Sequence, residues 1–379
     1  MSDVTDDMLS TSPIYKAMPP ISRMIWDDKY RLKHPDGTPI DITPEGTLRR
    51  VARFLAGAEG QDETTGGSGR ADAIRDQWAD TFYSVMETFE FMLAGRIVAG
   101  AGAGRNVTLS NCYVMGTIPD SMEGIFDHLK EAALTMQAGG GIGYDFSTIR
   151  PKGAEVKGVG AFASGPLSFM DCWDSMCRTV MSAGSRRGAM MATMICTHPD
   201  IEAFIDAKHD PLKLRNFNVS VMVTDAFMKA VADDDGWNLV HAKPPVKGPR
   251  IEVEDAKGNV VYVHKTVRAR DLWNKITRNT FEMAEPGIMF IDRVNRLHNL
   301  WWIDDIRASN PCGEKFMGPY DSCLLGSVNL AMFVRNAFRD SAFIDYDRLA
   351  AVVKIAIRLM DNVIDVNFFP LDQQAKKAR

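Results

Sequence analysis

The residues best suited to chemistry lie together in Ala308-Ser-Asn-Pro-Cys-Gly-Glu314. Pro311 and Gly313 flank Cys312. Proline fixes one backbone angle and glycine frees the next, which suits a tight loop that presents a side chain away from its scaffold. Asn310 and Glu314 stand two residues to either side of the thiol. One loop can therefore offer a sulfur, a hydrogen-bonding amide and a proton acceptor to a single small volume. The same residues also describe a plain turn around a buried thiol, because free cysteine is among the most buried residue types.

Five other cysteines are scattered at 112, 172, 177, 196 and 323. Their spacing is not that of a secreted disulfide framework, and no close Cys-x-x-Cys pair offers a zinc site. Cys177 belongs to an apolar helical stripe, Cys172 lies on another face of that helix, and Cys196 ends an apolar strand, so all three read as packing. A net charge of -5 argues against a broad nucleic-acid surface. No run of about 18 apolar residues occurs and the first residues are acidic, so neither a membrane span nor a secretory signal is expected. The expected location is the cytoplasm. With 379 residues, 45% hydrophobic and 25% charged, the chain is ordinary globular material.

These side chains need a scaffold. Residues 1 to about 55 contain several prolines among short apolar pieces, with a helix expected at Thr47 to Leu55. Gly57 to Gly69 has linker composition, rich in Gly, Thr and acidic residues. A helical pattern follows from Ala71 to about Leu93, with Trp78, Phe82, Val85, Met86, Phe89 and Met92 at three- and four-residue steps. Beyond it, strand-like and helix-like pieces alternate. A helix opens at Asp120 with Glu123 as a capping box and stops at Gly139. Strands are expected at Ile142 to Phe146, Met190 to Cys196, Asn218 to Val223 and Gly287 to Ile291. Helices are expected from Ser164 to near Gly184, and at Pro199 to Lys208, Asp225 to Ala232, Arg270 to Met283 and Tyr346 to Val366. Ile251 to His264 reads as a hairpin. Repeated strand and helix units of this kind indicate an α/β sheet or barrel.

Two further segments could meet a ligand. Gly139 to Gly143 holds four glycines in five residues, a turn whose amides can approach phosphate or sugar. Arg186 and Arg187 sit among Gly184, Ser185 and Gly188 as a cationic loop, which could also be merely solvated.

Several of these pieces together resemble the large chains of ribonucleotide reductases. Asn310-Pro-Cys-Gly-Glu314, followed by Ser322-Cys-Leu-Leu-Gly-Ser-Val-Asn-Leu330, resembles their active-site region, and the Pro-Cys-Gly form resembles the B12-dependent class. In order, Leu109-Ser-Asn-Cys-Tyr-Val114 looks like the family's first redox-cysteine strand. Gly139-Gly-Gly-Ile-Gly-Tyr-Asp-Phe-Ser147 looks like its substrate turn, and Gly184-Ser-Arg-Arg-Gly-Ala189 like its effector-communicating loop. The resemblance runs from about Ile21 to the last residue.

What it implies is specific. The fold would be the first part of a ten-stranded α/β barrel (93–379), preceded by a helical cap (1–92) with a mobile linker at 57–70. The reaction would reduce ribonucleotides, expected as diphosphates, to 2′-deoxyribonucleotides, with adenosylcobalamin as radical generator. Cys312 would become the thiyl radical, Glu314 would accept the 3′-hydroxyl proton and Asn310 would hold the sugar hydroxyls. Cys112 and Cys323, 211 residues apart in the sequence, would form the redox pair, their Cα atoms within roughly 7 Å. Ser110, Gly140 and Gly141 would join Asn310 and Glu314 around the substrate. A nucleoside triphosphate effector, a deoxynucleotide or ATP, would be held by Asp120, Ser121, Met122, Arg150 and Lys157 and sensed by Ser185, Arg186 and Arg187. A thioredoxin-like reductant would reopen the disulfide. A homodimer through helices near 122–137 and 166–181 is also expected.

Family members continue for several hundred residues beyond Arg379, so a second polypeptide supplying the C-terminal half is expected, and this chain alone should not turn over. The first 90 residues also lack the family's Lys-Arg-rich ATP-sensing opening. Two other readings stand beside this one: the large chain of the iron-dependent class, and a non-catalytic nucleotide-binding or assembly fragment. A glycyl-radical enzyme is set aside, since its C-terminal glycine loop is lacking.

Overall fold

Capping and amphipathic spacing account for the three principal helices of the first unit. Thr43 accepts the N–H of Gly46 and Pro44 occupies the first turn of helix Pro44–Ala56. Asp345 likewise accepts the N–H of Arg348 to start helix Tyr346–Val366. With helix Ser68–Glu87 these bury Val51, Leu55, Phe82, Val85, Met86, Leu359 and Val363 in one core. The computed structural model describes residues 2–60, 68–156, 160–180, 188–210 and 212–379. They fall into two compact units. The first comprises residues up to Asn111 with Leu324–Pro370 and the last two residues; the second comprises Cys112–Cys323 with Leu371–Lys377.

The first unit departs from the sequence expectation in three places. Helix Tyr346–Val366, expected with the barrel, packs in this unit. Helix Ser68–Glu87 ends earlier than the apolar pattern suggested, and Phe91–Leu93 forms a strand paired antiparallel with Gly326–Val328. Of the expected linker, Gly57 to Gly60 is a turn, and Ser68 to Arg70 begin a helix; 61–67 lie outside the described residues. Glu59 in that turn is buried and accepts hydrogen bonds from Arg358 (2.7 and 2.6 Å) and Asn362 (2.9 Å). A paired buried carboxylate fixes the turn, which overturns the reading of these positions as linker. Asn367 reaches back to the other end of the unit, accepting from Leu109 N (2.6 Å) and donating to Ser110 Oγ (3.1 Å).

The second unit is built on a six-stranded sheet: β1 (Cys112–Val114), β2 (Gly141–Asp145), β3 (Met190–Ile195), β4 (Phe217–Val223), β5 (Gly287–Phe290) and β6 (Ser322–Cys323). Their spatial order is β5-β4-β3-β2-β1-β6. The first five are mutually parallel, and only β6 runs antiparallel, against β1. Nearly continuous apolar runs such as Met190–Ile195, buried on both faces, are what a central parallel strand requires. Helices Met122–Gln137 and Pro166–Thr179 cover one face, where Trp173, Tyr144, Phe146 and Phe217 meet edge to face. The fold is thus α/β, with a mainly helical N-terminal part and a parallel-rich sheet curled as half of a barrel.

Sequence pattern placed β2 to β5 to within a residue or two but missed others. The hairpin Ile251–Glu254 and Val260–Arg268 gains a third strand, Gly236–His241. The capping box at Asp120 is replaced by a cap one residue later: Ser121 accepts the N–H of Gly124. Among the described residues no helix is long and apolar enough to cross a membrane.

Candidate active site

The cysteine loop is a finger laid across the sheet. Its base is the short strand Ala308–Ser309, paired antiparallel with Phe316–Met317. Asn310 closes the tip: its N–H donates to Lys315 O (3.1 Å), its Oδ1 accepts from Lys315 N (3.1 Å), and its carbonyl accepts from Gly313 N (3.0 Å). Gly313 has φ +80, the left-handed turn expected beside Cys312. From β4, Asn218 donates to the carbonyl of Pro311 at 2.7 Å.

The glycines of this segment, two of them within β2 rather than in the expected turn, explain how the finger lies so close. A Cβ at Gly143 would stand 1.8 Å from the Ser309 carbonyl oxygen, and one at Gly141 would stand 2.8 Å from Pro311 Cγ. A Cβ at Gly140 would meet the Tyr113 ring at 2.8 Å. These glycines therefore make room for the finger and for the Tyr113 ring, a demand that the sequence reading, with a substrate in view, did not include.

Cys112 and Cys323 are register partners across β1 and β6. Directly opposite residues of an antiparallel pair have Cα atoms roughly 4.5–5.5 Å apart with side chains on the same face, inside disulfide range. Cys112 is half-buried and Cys323 fully buried, and among the described residues no disulfide joins them. The Cys112 thiol donates to Cys323, which pushes Cys112 up and holds Cys323 below the ordinary thiol value. Lys315 also favours the Cys323 thiolate, whereas the Glu314 charge opposes ionisation of both sulfurs. Asn310 is wholly buried beside the pair. Its Nδ2 lacks a hydrogen bond of normal geometry, but the amide stands close enough to Cys112 to favour that thiolate.

Cys312 is exposed at the fingertip. It borders a cavity of about 520 Å³ that is also lined by Met191, Asn218, Ser220, Glu285, Met289 and Phe316. One neighbourhood thus gathers Cys112, Cys323, Asn310 and Glu314, with Cys312 carried between the last two. A dithiol that can close by losing two electrons, a buried amide, a carboxylate and an accessible third thiol can support radical or redox chemistry on a small ligand.

The remaining expected residues are distributed differently. Ser110 is buried in the first unit, its hydroxyl accepting from Asn367. Asp120 and Arg150 hold each other: Arg150 N and Nε both lie 3.0 Å from the Asp120 carboxylate. Ser121 is occupied as a helix cap, and Met122 beside it is exposed. Lys157, Ser185, Arg186 and Arg187 lie outside the described residues. Burial pushes the Cys177 thiol up to about 11 and the Cys196 thiol up to about 12, leaving both protonated and inert. Asn218, Thr193 and Asp145, which touch the finger or its stem, were not singled out from sequence. Each acts through a bond to a remote backbone or side chain, for which a strand pattern carries no signal.

A cysteine finger over a parallel-rich sheet, with a cross-strand thiol pair beside it, is the architecture of ribonucleotide reductase large chains. The family profile "Ribonucleotide reductase, barrel domain" matches residues 110–379, and "Ribonucleotide reductase, all-alpha domain" matches 19–106. The chain belongs to the ribonucleotide reductase family. It is 37% identical over 353 residues to a vitamin B12-dependent ribonucleoside-diphosphate reductase of Mycobacterium tuberculosis, covering 93% of this chain and 46% of that protein. It is 38% identical over 303 residues to the protein of that name from Thermoplasma acidophilum, covering 80% and 37%. A ribonucleoside-diphosphate reductase subunit alpha of Chlamydia muridarum is 30% identical over 370 residues, covering 93% and 33%. The chain spans between a third and a half of the length of these curated relatives.

Proposed function

We propose that this chain carries the active-site cysteines of a vitamin B12-dependent reductase that converts ribonucleoside diphosphates to 2′-deoxyribonucleoside diphosphates. The observation that carries the reading is the cross-strand pairing of Cys112 with Cys323 beside Asn310 and Glu314. The names of the relatives support the cofactor and the diphosphate level.

An exposed thiol on the rim of an open cavity fits a cofactor that must reach one sulfur, so Cys312 is the residue that would face adenosylcobalamin. When bound, that group supplies an unpaired electron by homolysis of its cobalt–carbon bond. The chain's own residues then divide the work. Cys312 as a thiyl takes the 3′ hydrogen atom of the ribose and later returns it. Glu314 accepts the 3′-hydroxyl proton, and Asn310 holds the sugar hydroxyls. Cys112 and Cys323 give up two electrons and two protons as the 2′-hydroxyl leaves as water, and a disulfide forms between them. Gly140 and Gly141 complete the substrate side. A thioredoxin-like dithiol reduces the disulfide, and the more accessible Cys112 is the sulfur it attacks.

Asp120, Ser121, Met122, Arg150 and Lys157 form the proposed effector site, with Ser185, Arg186 and Arg187 relaying its occupancy. The exposed Met122, Phe126 and Leu134 on helix Met122–Gln137 support a homodimer face there.

The test mixes the chain with a polypeptide carrying the rest of the relatives' length, adenosylcobalamin, a dithiol and a ribonucleoside diphosphate, and follows deoxynucleotide formation. Turnover that needs adenosylcobalamin and disappears in Cys312→Ser supports the reading. Turnover that needs an iron-containing radical subunit instead assigns the chain to the other class. Absence of turnover with intact effector binding identifies a nucleotide-binding fragment.

A further inference from the structure

The stretch that leads into the finger is gripped at consecutive residues. Asn295 clamps Ile306 from both sides, accepting from its N–H (2.8 Å) and donating to its carbonyl (3.0 Å). Thr193 donates to the Arg307 carbonyl at 2.8 Å. Asp145 stands directly opposite Thr193 in register across β2 and β3, and its Oδ2 lies 3.6 Å from Arg307 Nη1. Two neighbouring side chains thus take hold of opposite ends of Arg307.

Asp145 is only 6% exposed, and its other oxygen is already used by the Ser147 N–H at 2.8 Å. Oδ2 makes no hydrogen bond of normal geometry among the described residues; burial pushes this carboxyl up, and Arg307 opposes that shift. Arg307 is steered from the solvent side by Asp305, which accepts from its Nε at 2.9 Å and from Lys257 at 2.6 Å.

We propose that Asp145, acting through Arg307, is a positioning residue that sets the register of the finger and hence the place of Cys312. This rests on the reading of Cys312 as the reacting thiol. Extended chain advances roughly 3.3 Å per residue and alternates sides, so a one-residue slip of the stem would move Cys312 by that distance and turn it away. A misplacement of even about 1 Å can reduce a rate about 100-fold.

Hydrogen exchange of the full 379-residue chain tests the proposal, read on peptides covering residues 308–317 and, as internal references, β3 and β4. Asp145→Asn keeps the acceptor for Ser147 and removes the charge; Arg307→Met removes the partner. Each is expected to raise exchange in 308–317 about tenfold while the references stay as in wild type. Arg307→Lys, which restores a cation, should return exchange close to wild type. The Asp145→Asn/Arg307→Met double variant should exchange no faster than the faster single variant, because both lose the same interaction. Unchanged exchange in 308–317, a rise spread equally over the reference strands, or additive effects would overturn it. If Asp145→Asn does not fold, Arg307→Met, at a partly exposed side chain, decides the matter alone. Cys312→Ser leaves the stem contacts in place, so loss of turnover there judges the radical chemistry while the exchange pattern judges the positioning.

Discussion

Cys112 and Cys323 face each other across the only antiparallel seam of the six-stranded sheet, with the thiol of the first donating to the second. Register partners of an antiparallel pair have Cα atoms within the range a disulfide spans. Mild oxidation should therefore join them in preference to any other pair. Peptide mapping under non-reducing conditions should recover one linked peptide containing 112 and 323, and none linking either to Cys177 or Cys196. A mixture of pairings would show that the seam does not hold the sulfurs together.

The donated hydrogen bond should split the titration of the pair. Because the folded value of Cys323 is lowered, its thiolate should persist to more acidic pH than an ordinary cysteine's, while Cys112 stays protonated well into the alkaline range. Ultraviolet thiolate absorbance of the reduced chain, compared with Cys112→Ser and Cys323→Ser, reads this directly. Loss of the most acidic step in Cys323→Ser is expected; an unchanged most acidic step in that variant would contradict it.

Gly143→Ala tests how tightly the finger is seated. The added methyl has no room against the Ser309 carbonyl, so the finger must lift or β2 must move. Overpacking of this kind costs about 1–3 kcal/mol. Urea unfolding should show that loss, and hydrogen exchange should place it at 308–317. Wild-type stability would mean that the finger is not pressed on the sheet.

His198 and His241, stacked edge to face at 5.6 Å, give the second unit an acid sensitivity. Burial lowers both rings to about 4. His198 Nδ1 accepts from the Asp200 N–H, so protonating that nitrogen would break the bond. Since the folded values lie below the unfolded value of about 6.5, stability is fully present at neutral pH and declines as pH falls through the window between them. The expected loss is about 3 kcal/mol per ring. Unfolding midpoints measured across that window for wild type and His241→Gln should converge toward acid; parallel curves would contradict the assignment.

Legibility in the sequence followed the range of the interactions. Helix Tyr346–Val366 was readable to the residue because its cap and apolar stripe are local, and β2 to β5 were readable as apolar runs. Phe91–Leu93, Gly236–His241 and Ala308–Ser309 were not, because strands this short or this polar exist only through their partners. At the site, the Pro/Gly frame of Cys312 announced a presented thiol. Nothing local tied Cys112 to Cys323, and only the family resemblance joined them. The grip of Thr193, Asp145 and Asn218 on the finger was invisible for the same reason: each bond spans dozens of residues. Asp120 and Arg150, read separately as ligand contacts, turned out to be each other's partner.

The seam between β1 and β6 also has a bearing on time. Its two halves are separated by 211 positions, from 112 to 323, so during synthesis at about 5–20 residues per second the first sulfur waits roughly 10–40 s for the second. For more than half of that interval Cys172, Cys177 and Cys196 have also been made and the correct partner has not. A cell that keeps its nascent chains reduced is thus a condition for this edge of the sheet to be assembled without cross-linking errors.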